Sequence, residues 1–247
     1  MKLSIVIPVH NEKNTIEEII KRIKAVDLDK EIIIVDDKST DGTREILRDR
    51  FKNDSSIRLV FLGRNKGKSF AIRAGLTHVR GEVVIIQDAD LEYDPKDYKK
   101  LIEPIRENRA SVVYGSRFMN INKPLYMRRW IASKLSNKSC DMGHAYLSNF
   151  LGIQLLNFLV WALYGAKITD EATCYKAFKA EVLKRVKIRS RRFEFCPEIT
   201  AKVCKMGYKI HEVPISYYPR TAEHGKKLNW KDGIVAIIVL LKYRFVD

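Results

Sequence analysis

The sequence predicts an α/β protein built on a mostly parallel β-sheet with helices on both faces. Short apolar runs rich in β-branched residues alternate with segments of helical period through about residue 115. Each apolar run is followed by a polar loop, as in sheets whose strands are joined by helical crossovers. The composition, with 46% hydrophobic and 31% charged residues in a chain of 247, is that of an ordinary globular protein.

The first half of the chain supplies the predicted sheet. Its apolar runs predict strands at 3–7, 31–35, 57–62, 83–87 and 111–114. A first helix is indicated by isoleucines at 16, 19, 20 and 23, with Asn14 as its N-cap. Three more helices are predicted at 43–51, 67–79 and 95–108.

The second half of the chain has a different pattern. The segment 118–140 carries basic residues, and 147–164 is apolar almost all round a helix, which is typical of a buried or lipid-facing helix. Further expected elements are a strand at 174–179, a helix at 198–205, a strand at 209–217, a polar loop at 221–228 and an apolar run at 234–241. We therefore expect one structural domain with two functional halves, 1–117 and 118–247.

The charge of the chain indicates an anionic partner. Lys and Arg number 46 against 30 Asp and Glu, which gives a formal net charge of +16. Nucleic acid, an acidic membrane surface and a phosphorylated substrate all fit that charge. The four cysteines match no zinc or redox spacing, which favours a reduced cytosolic protein, and the histidines form no zinc-hydrolase pair.

Polar residues follow every predicted strand of the first half. These loops cover 8–12, 36–41, 64–69, 88–92 and 115–117. The carboxyl ends of parallel strands meet at one edge of a sheet, and open α/β sheets bind their ligands there. The sequence therefore predicts a single binding site to which all five loops contribute.

The loop with Asp88-Ala89-Asp90 offers the clearest chemistry. Residues i and i+2 of an extended segment point to the same side, and Glu92 adds a third carboxylate in the same phase. Three hard oxygen ligands suit Mg²⁺ or Mn²⁺, which would hold a diphosphate. The alternative interpretation is a turn whose acids cap a helix.

Other loops offer weaker signals. Asp36 and Asp37 end a buried strand, where one of them could accept a hydrogen bond from a nucleobase or cap a helix. The segment 65–69 places Gly67 between two lysines at a helix N-terminus, which could hold a phosphate although it is not a Walker A loop. Candidates for binding a second anion, or for simple surface solvation, are Arg117, Arg129, Arg220, Lys226 and Lys227.

Several short segments occur together in a recognisable order. Those of the first half are Pro8-Val9-His10-Asn11-Glu12, the run 35–41, Asp88-Ala89-Asp90-Leu91 and Gly115-Ser116-Arg117. Those of the second half are 169–176, Phe193-Glu194-Phe195, 212–215 and Arg220 with Gly225-Lys226-Lys227. The first set resembles the family 2 glycosyltransferases of the GT-A type, and the second resembles dolichyl-phosphate mannose synthases and their relatives.

The resemblance implies a GT-A (Rossmann-like) fold with C-terminal acceptor or membrane-interface helices, and it implies roles for particular residues. Donor-binding residues would be Pro8, His10, Glu12, Asp37, Gly67, Lys68, Asp88 and Ala89. The metal ligands would be Asp88, Asp90 and Glu92, although relatives often have Gln in place of the last. The acceptor phosphate would meet Arg117, Arg129, Ser133 and Arg220, and the catalytic set would be Asp90, Arg117, Arg129 and Arg220.

The implied reaction is inverting transfer of a hexose from a nucleotide sugar, of the GDP-mannose or UDP-glucose type, to a dolichyl or undecaprenyl phosphate. A lipid phosphate is already anionic near pH 7, so it needs no general base. We therefore assign no catalytic base and expect Asp170 at most to orient another group. The alternative is a hydroxyl acceptor in cell-surface glycan synthesis, which would require a carboxylate base.

The apolar tail of such an acceptor would place the enzyme at a bilayer. The segment 147–164 could lie in the membrane interface, assisted by nearby cations and anionic lipid, or it could be a core helix. We predict no signal peptide and no transmembrane anchor, since the chain ends at Asp247. The expected location is the cytoplasmic face of a membrane, as a peripheral protein.

Two other protein classes fit less well. A nucleic-acid-binding protein should cluster its cations with exposed aromatic residues, whereas here they are spread among helices and the strand-end loops are acidic. No nucleic-acid partner is therefore expected. A sugar nucleotidyltransferase usually has a glycine-rich loop after its first strand, and 8–12 contains no glycine.

Overall fold

The fold is organised around one sheet, seen in a computed structural model that describes residues 1–119, 142–192, 194–218 and 230–246. Its strands are β1 (Leu3–Val9), β2 (Lys30–Asp36), β3 (Ile57–Phe61), β4 (Val83–Ile86), β5 (Val112–Ser116), β6 (Lys176–Lys179) and β7 (Ile210–Pro214). Within the described ranges the strand order is β3-β2-β1-β4-β6-β5-β7. Only β6 among these seven is antiparallel to its neighbours, so β5 and β7 run in the direction of β1 to β4.

Helices connect and cover these strands. They are α1 (Ile16–Ala25), α2 (Thr43–Phe51), α3 (Lys68–Leu76), α4 (Tyr98–Arg106) after a 3₁₀ turn (Pro95–Asp97), α5 (Met142–Tyr164), α6 (Ala180–Arg185), α7 (Phe195–Lys205) and α8 (Trp230–Phe245). One apolar cluster joins one face of the sheet to α1 and α4, and another joins the opposite face to α3, α6 and α7. The prediction of a parallel sheet with helices on both faces is therefore confirmed.

Strand β1 shows how the sequence produces this layering. All seven of its residues are buried, and successive side chains enter opposite clusters, with Ile5 and Ile7 on one face and Val6 on the other. A strand covered on both faces needs a continuous apolar run rather than an alternating one. The central position of β1 between β2 and β4 follows from that pattern.

A third apolar cluster lies beside the sheet, where α5 and α8 pack on α7. Its buried members include Leu156 and Val160 of α5 and Leu240 of α8. The outer surfaces of the same two helices remain apolar and exposed. This exposed apolar surface consists of Leu151, Leu155, Phe158 and Trp161 on α5 and Ile234, Val235, Ile238 and Leu241 on α8.

The structure corrects some local predictions. The N-cap of α1 is Thr15 rather than Asn14, because the carbonyl oxygen of Thr15 accepts the Ile19 amide as the first hydrogen bond of the helix. Helix α3 starts after Gly67 and ends at Leu76, and β6 is shorter than predicted. The six-residue helix α6 was not predicted.

Other predicted features fall outside the described residues. These are most of the basic segment 118–140 and the whole polar loop 221–228.

The apolar run 234–241 lies inside α8. Strands β6 and β7, from the second half of the chain, pair with β4 and β5, so one sheet contains strands of both halves.

Candidate active site

The predicted loops meet at one edge of the sheet, where β1, β2, β4 and β5 have their carboxyl ends. Val9 and Asp36 are register partners at the ends of β1 and β2, and the Asp37 amide donates to the Val9 carbonyl oxygen. The loop after β5 reaches the same edge because the intervening antiparallel strand leaves β5 running with β4.

The loops after β1 and β2 form one corner of the site around His10. Its Nδ1 lies 3.0 Å from the Asp37 carbonyl oxygen, and its Nε2 lies 3.1 Å from the Asn65 side-chain nitrogen. Pro8 is buried within β1, and the carboxylate of Glu12 accepts a hydrogen bond of 2.9 Å from the Thr15 hydroxyl. Predicted donor-site residues from two separate loops are thus adjacent.

The two acids at the end of β2 have different partners. Asp36 is buried in an ion pair with Arg44 of α2, with Nε and Oδ2 2.6 Å apart. The carboxylate of Asp37 accepts the backbone amides of Lys66 and Gly67, each at 2.7 Å. Asp37 therefore shapes the loop before α3. The Arg44 partner was not predicted from the sequence.

The backbone at the start of α3 is occupied by protein groups. Ser69 and Phe70 donate their amides to the carbonyl oxygens of Arg192 and Arg191. Gly67 has a φ of +89°, and a Cβ there would collide with the carbonyl oxygen of Arg191. With the Lys66 and Gly67 amides bound to Asp37, this backbone does not form the phosphate cradle that the sequence predicted.

Lys68 and Asp88 form an ion pair in the middle of the edge. Their Nζ and Oδ1 atoms are 2.6 Å apart, and the Nζ also lies 3.2 Å from the Cys174 sulfur. Burial lowers the pKa of Lys68, but the Asp88 carboxylate together with the nearby sulfurs of Cys174 and Cys196 outweighs burial, so that the pKa lies above its ordinary value. Lys68 consequently remains a cation beside the first acid of the Asp88-Ala89-Asp90 motif.

The remaining acids of this motif lie in a tight turn. Ala89 is buried, and Asp90 Oδ1 accepts the Glu92 amide at 3.2 Å. The Glu92 carboxylate accepts a hydrogen bond from the Tyr217 hydroxyl at 3.1 Å. In the part of the chain that the structure describes, no three His, Cys, Asp or Glu side chains form a group able to hold a metal ion. The predicted three-carboxylate set is therefore not assembled.

Arg117 is held firmly by Asp170. The guanidinium makes two hydrogen bonds of 2.7 Å to the two carboxylate oxygens, and the Arg117 amide adds a third at 3.0 Å. Asp170 is fully buried, and the guanidinium lies 4.9 Å from the ring centre of Tyr217. The orienting group expected from the sequence is thus the direct partner of Arg117.

Two further side chains hold the loop that carries Asp170. Glu212 of β7 accepts the backbone amides of Thr169 and Asp170, at 2.8 and 3.1 Å. Asn157 of α5 donates to the Thr169 carbonyl oxygen and accepts the Glu171 amide. Neither Asn157 nor Glu212 was predicted as a site residue.

Glu171 is a buried carboxyl group next to this arrangement. Burial raises its pKa to about 7, opposed in part by the nearby ammonium group of Lys176. Its side chain accepts a hydrogen bond from Thr200 at 3.3 Å, and the Lys176 nitrogen bonds to the Glu171 and Thr173 carbonyl oxygens. The polar groups behind the site are therefore hydrogen-bonded to one another.

Three predicted acceptor residues lie outside the described residues, namely Arg129, Ser133 and Arg220. Among the residues that are described, the structure brings the predicted donor and metal residues to the same sheet edge as Arg117.

The cysteines of the described residues form no disulfide bond, since Cys174, Cys196 and Cys204 are free thiols.

The chain matches the model of a known protein family over most of its length. The family model described as glycosyl transferase family 2 matches residues 4–187, which include β1 to β6 and the loop that carries Asp170. The chain belongs to glycosyl transferase family 2. The resemblance inferred from the sequence motifs is therefore confirmed.

Curated relatives of this family 2 chain act on polyprenyl phosphates according to their names. The chain is 27% identical to the dodecaprenyl-phosphate galacturonate synthase of Rhizobium johnstonii, over 91% of its own length and 61% of the relative's. It is 30% identical to the undecaprenyl-phosphate 4-deoxy-4-formamido-L-arabinose transferase of Edwardsiella ictaluri, over 97% of its own length and 65% of the relative's. It is 29% identical to the dolichol-phosphate mannosyltransferase of Pyrococcus furiosus, over 92% of its own length and 59% of the relative's. The chain thus spans about six-tenths of the length of these relatives.

Solved structures share the GT-A fold with this family 2 chain. One is the glucosyl-3-phosphoglycerate synthase of Mycobacterium tuberculosis with Mn²⁺, UDP and glucosyl-3-phosphoglycerate, with a TM-score of 0.70 and 18% identity. The match covers 100% of this chain and 81% of that one. The same synthase with Mg²⁺ and UDP gives a TM-score of 0.63. Separately, no helix within the described ranges has the length and apolarity needed to cross a bilayer.

Proposed function

We propose that this protein transfers a hexose from a nucleotide sugar to a polyprenyl phosphate, with inversion at the anomeric carbon. The carrying observation is that acids and cations are paired at the sheet edge, Asp88 with Lys68 and Asp170 with Arg117. Paired carboxylates are poorly suited to remove a proton from a hydroxyl acceptor, whereas a phosphate acceptor needs no general base. The names of the curated relatives support the same acceptor class.

The donor diphosphate would bind beside Asp88 and Asp90. Carboxylates are the ligands that Mg²⁺ and Mn²⁺ prefer, and such ions are often held by one or two of them together with substrate phosphates. These two residues fit that arrangement without the third carboxylate, Glu92. When bound, the metal would neutralise charge on the departing diphosphate. Lys68 adds a fixed positive charge at the same place.

The nucleoside of the donor would occupy the corner formed after β1 and β2. We assign Pro8, His10, Glu12 and Asp37 to it, with Ala89 next to the diphosphate. His10 and Asn65 present ring and amide nitrogens within 3.1 Å of each other, at a partly exposed position where a base could meet them. Gly67 would contribute through the shape of the loop, since its amide is bound to Asp37.

The acceptor phosphate would approach from the side of Arg117. In the proposed reaction its oxygen attacks the anomeric carbon of the sugar while the bond to the diphosphate breaks. Phosphate monoesters have a second pKa near 6, so the nucleophile is ionised at neutral pH. Arg117, Arg129, Ser133 and Arg220 would surround it, and the Asp170 pair fixes the direction of the Arg117 guanidinium.

The apolar tail of the acceptor would remain in the membrane next to the exposed apolar surface of α5 and α8. Phe158 and Trp161 on that surface are 55% and 49% exposed. Aromatic and aliphatic side chains in such a surface favour the interface of a bilayer, and a chain with a net charge of +16 is attracted to anionic lipid. A peripheral position on the cytoplasmic face of a membrane is part of this proposal.

A label-partition assay tests the proposed reaction. Purified protein is mixed with Mn²⁺ or Mg²⁺, a polyprenyl phosphate and labelled UDP-glucose, UDP-N-acetylglucosamine or GDP-mannose in turn. We expect one donor to deliver label to the organic phase, and only when the lipid phosphate is present. Metal-dependent binding of a nucleotide without transfer to the lipid would reject the lipid acceptor and favour a hydroxyl acceptor.

A further inference from the structure

Asn157 is a buried polar residue on an otherwise apolar helix. Its side chain is 7% exposed, and it lies between Leu156 and Val160, which belong to the apolar cluster of α5, α7 and α8. An amide group in such surroundings destabilises a protein unless its hydrogen bonds are made inside the fold. Packing therefore gives no reason for Asn at this position.

The amide of Asn157 bonds to the backbone on both sides of Asp170. Its nitrogen donates to the Thr169 carbonyl oxygen at 2.7 Å, and its oxygen accepts the Glu171 amide at 2.9 Å. From the other side, Glu212 accepts the amides of Thr169 and Asp170. The residue between these contacts is the one whose carboxylate holds Arg117.

The same helix also carries the exposed apolar surface. Leu155, Phe158 and Trp161 are close to Asn157 along α5 and are about half exposed. One rigid helix therefore connects the surface assigned to the lipid with the loop that orients Arg117. Reactions of this kind are sensitive to such alignment, because a displacement of about 1 Å can reduce the rate about a hundredfold.

We propose that Asn157 is a positioning residue that fixes the Asp170–Arg117 pair relative to the apolar surface of α5. It acts through the backbone of Thr169 and Glu171 and does not touch the substrate. The inference rests on the proposed function, because it assumes that a phosphate acceptor arrives along α5. The restraint on Arg117 can nevertheless be measured without any assay of sugar transfer.

Three variants test this restraint. Asn157→Leu has nearly the same shape and removes both hydrogen bonds, whereas Asn157→Asp keeps the acceptor for the Glu171 amide and loses the donor to Thr169. Gln154→Leu is the matched control, since it removes an amide from a half-buried position on the same helix. Urea unfolding shows whether each variant is folded, and Asn157→Asp provides the test if Asn157→Leu is not.

The first measurement is hydrogen exchange at the Arg117 Nε–H group, observed by NMR with ¹⁵N-labelled arginine. The signal is assigned with the Arg117→Lys variant. This hydrogen is bonded to Asp170, so we expect exchange about tenfold faster in Asn157→Leu and a smaller increase in Asn157→Asp. Unchanged exchange in both folded variants, or an equal increase in Gln154→Leu, would overturn the inference.

The second measurement separates kcat from KM with polyprenyl phosphate in vesicles. We expect kcat to fall about tenfold or more in Asn157→Leu, while KM for the nucleotide sugar stays within about twofold of the wild type. An equal loss in the control, or a change confined to the nucleotide-sugar KM, would contradict a positioning role. If the wild type itself transfers no sugar to the lipid, the proposed function fails and the exchange measurement alone decides on the restraint.

Discussion

The contact between Arg117 and Asp170 is the strongest charged interaction at the site, because it is both bidentate and buried. Asp170→Asn would leave the guanidinium without its counter-ion in a largely dehydrated position. We expect the variant to lose about 3 kcal/mol of unfolding free energy, measured by urea denaturation.

The exposed pair of Arg109 and Glu107 provides the control. Glu107→Gln should cost less than about 1 kcal/mol, because surface ion pairs contribute little. Similar small losses in both variants would mean that Arg117 is well solvated and not held as described.

Glu171 predicts a pH dependence of stability. Its pKa in the folded protein is about 7, above the ordinary value of 4.5, so the folded state binds the proton more tightly. The stabilisation of the folded state by protonated Glu171 is complete below about pH 4.5 and is lost as the pH rises through 7. Between pH 5 and pH 8 the wild type should lose about 2–3 kcal/mol more unfolding free energy than Glu171→Gln does. Parallel urea-unfolding results for the two proteins would contradict this assignment.

At the residue scale, the sequence predicted acids and cations better than it predicted their partners. The placement of Asp88, Asp90 and Arg117 at one edge could be predicted, because these residues follow strands whose carboxyl ends share that edge. Tyr217 and Glu212 were missed because their contacts with Glu92 and Thr169 cross 125 and 43 residues of chain. Asn157 did leave a signal, since a polar residue among buried positions of an apolar helix requires a partner.

At the scale of elements, the start of α3 depends on its contact with the segment that contains Arg191 and Arg192. Gly67→Ala combines an unfavourable positive φ with a Cβ that would collide with the Arg191 oxygen. We expect a loss of about 2–3 kcal/mol of unfolding free energy in urea denaturation.

Two other glycines separate the causes of that loss. Gly42 has a φ of +100° with no atom near its Cβ position, so Gly42→Ala measures the backbone strain alone, about 1 kcal/mol. Gly63 has neither feature, and Gly63→Ala should change the unfolding free energy by less than about 0.5 kcal/mol. A Gly67→Ala loss no greater than that of Gly42→Ala would show that the contact with Arg191 is loose.

Periodicity identified most of the elements but not how they pair. An apolar strand has the same pattern in either direction, so the antiparallel insertion of β6 between β4 and β5 could not be predicted. Helix α6 has only six residues, too few for a helical period to emerge. The sequence predicted that the amides at the start of α3 hold a phosphate. That prediction missed their true partners, Asp37 and the backbone of 191–192, because both are distant in sequence.

For the whole molecule, the exposed apolar surface of α5 and α8 predicts binding to membranes. The protein should float with vesicles that contain anionic lipid at low salt, and the double variant Phe158→Ser, Trp161→Ser should bind more than about tenfold less. Both side chains are about half exposed, so the variant should remain folded. Gln154→Ser on the same helix should float like the wild type. A wild-type protein that stays at the bottom of the gradient would contradict the membrane proposal.

The convergence of loops at one edge was predictable for the whole molecule, because it follows from parallel strands alone. The net charge of +16 indicated an anionic partner without selecting one. The proposed function selects a phosphate-bearing acceptor, and what supports it is the names of the curated relatives and the paired charges at the edge.

The central claim is that Asp88 and Asp90 form the place where sugar is transferred to a lipid phosphate. The most direct test compares Asp90→Asn with Asp49→Asn, a change of the same kind at an exposed position on α2, in the label-partition assay. We predict that Asp49→Asn transfers label like the wild type, while Asp90→Asn transfers none and unfolds at the same urea concentration. Near-normal transfer by Asp90→Asn with saturating Mg²⁺ or Mn²⁺ would contradict the account.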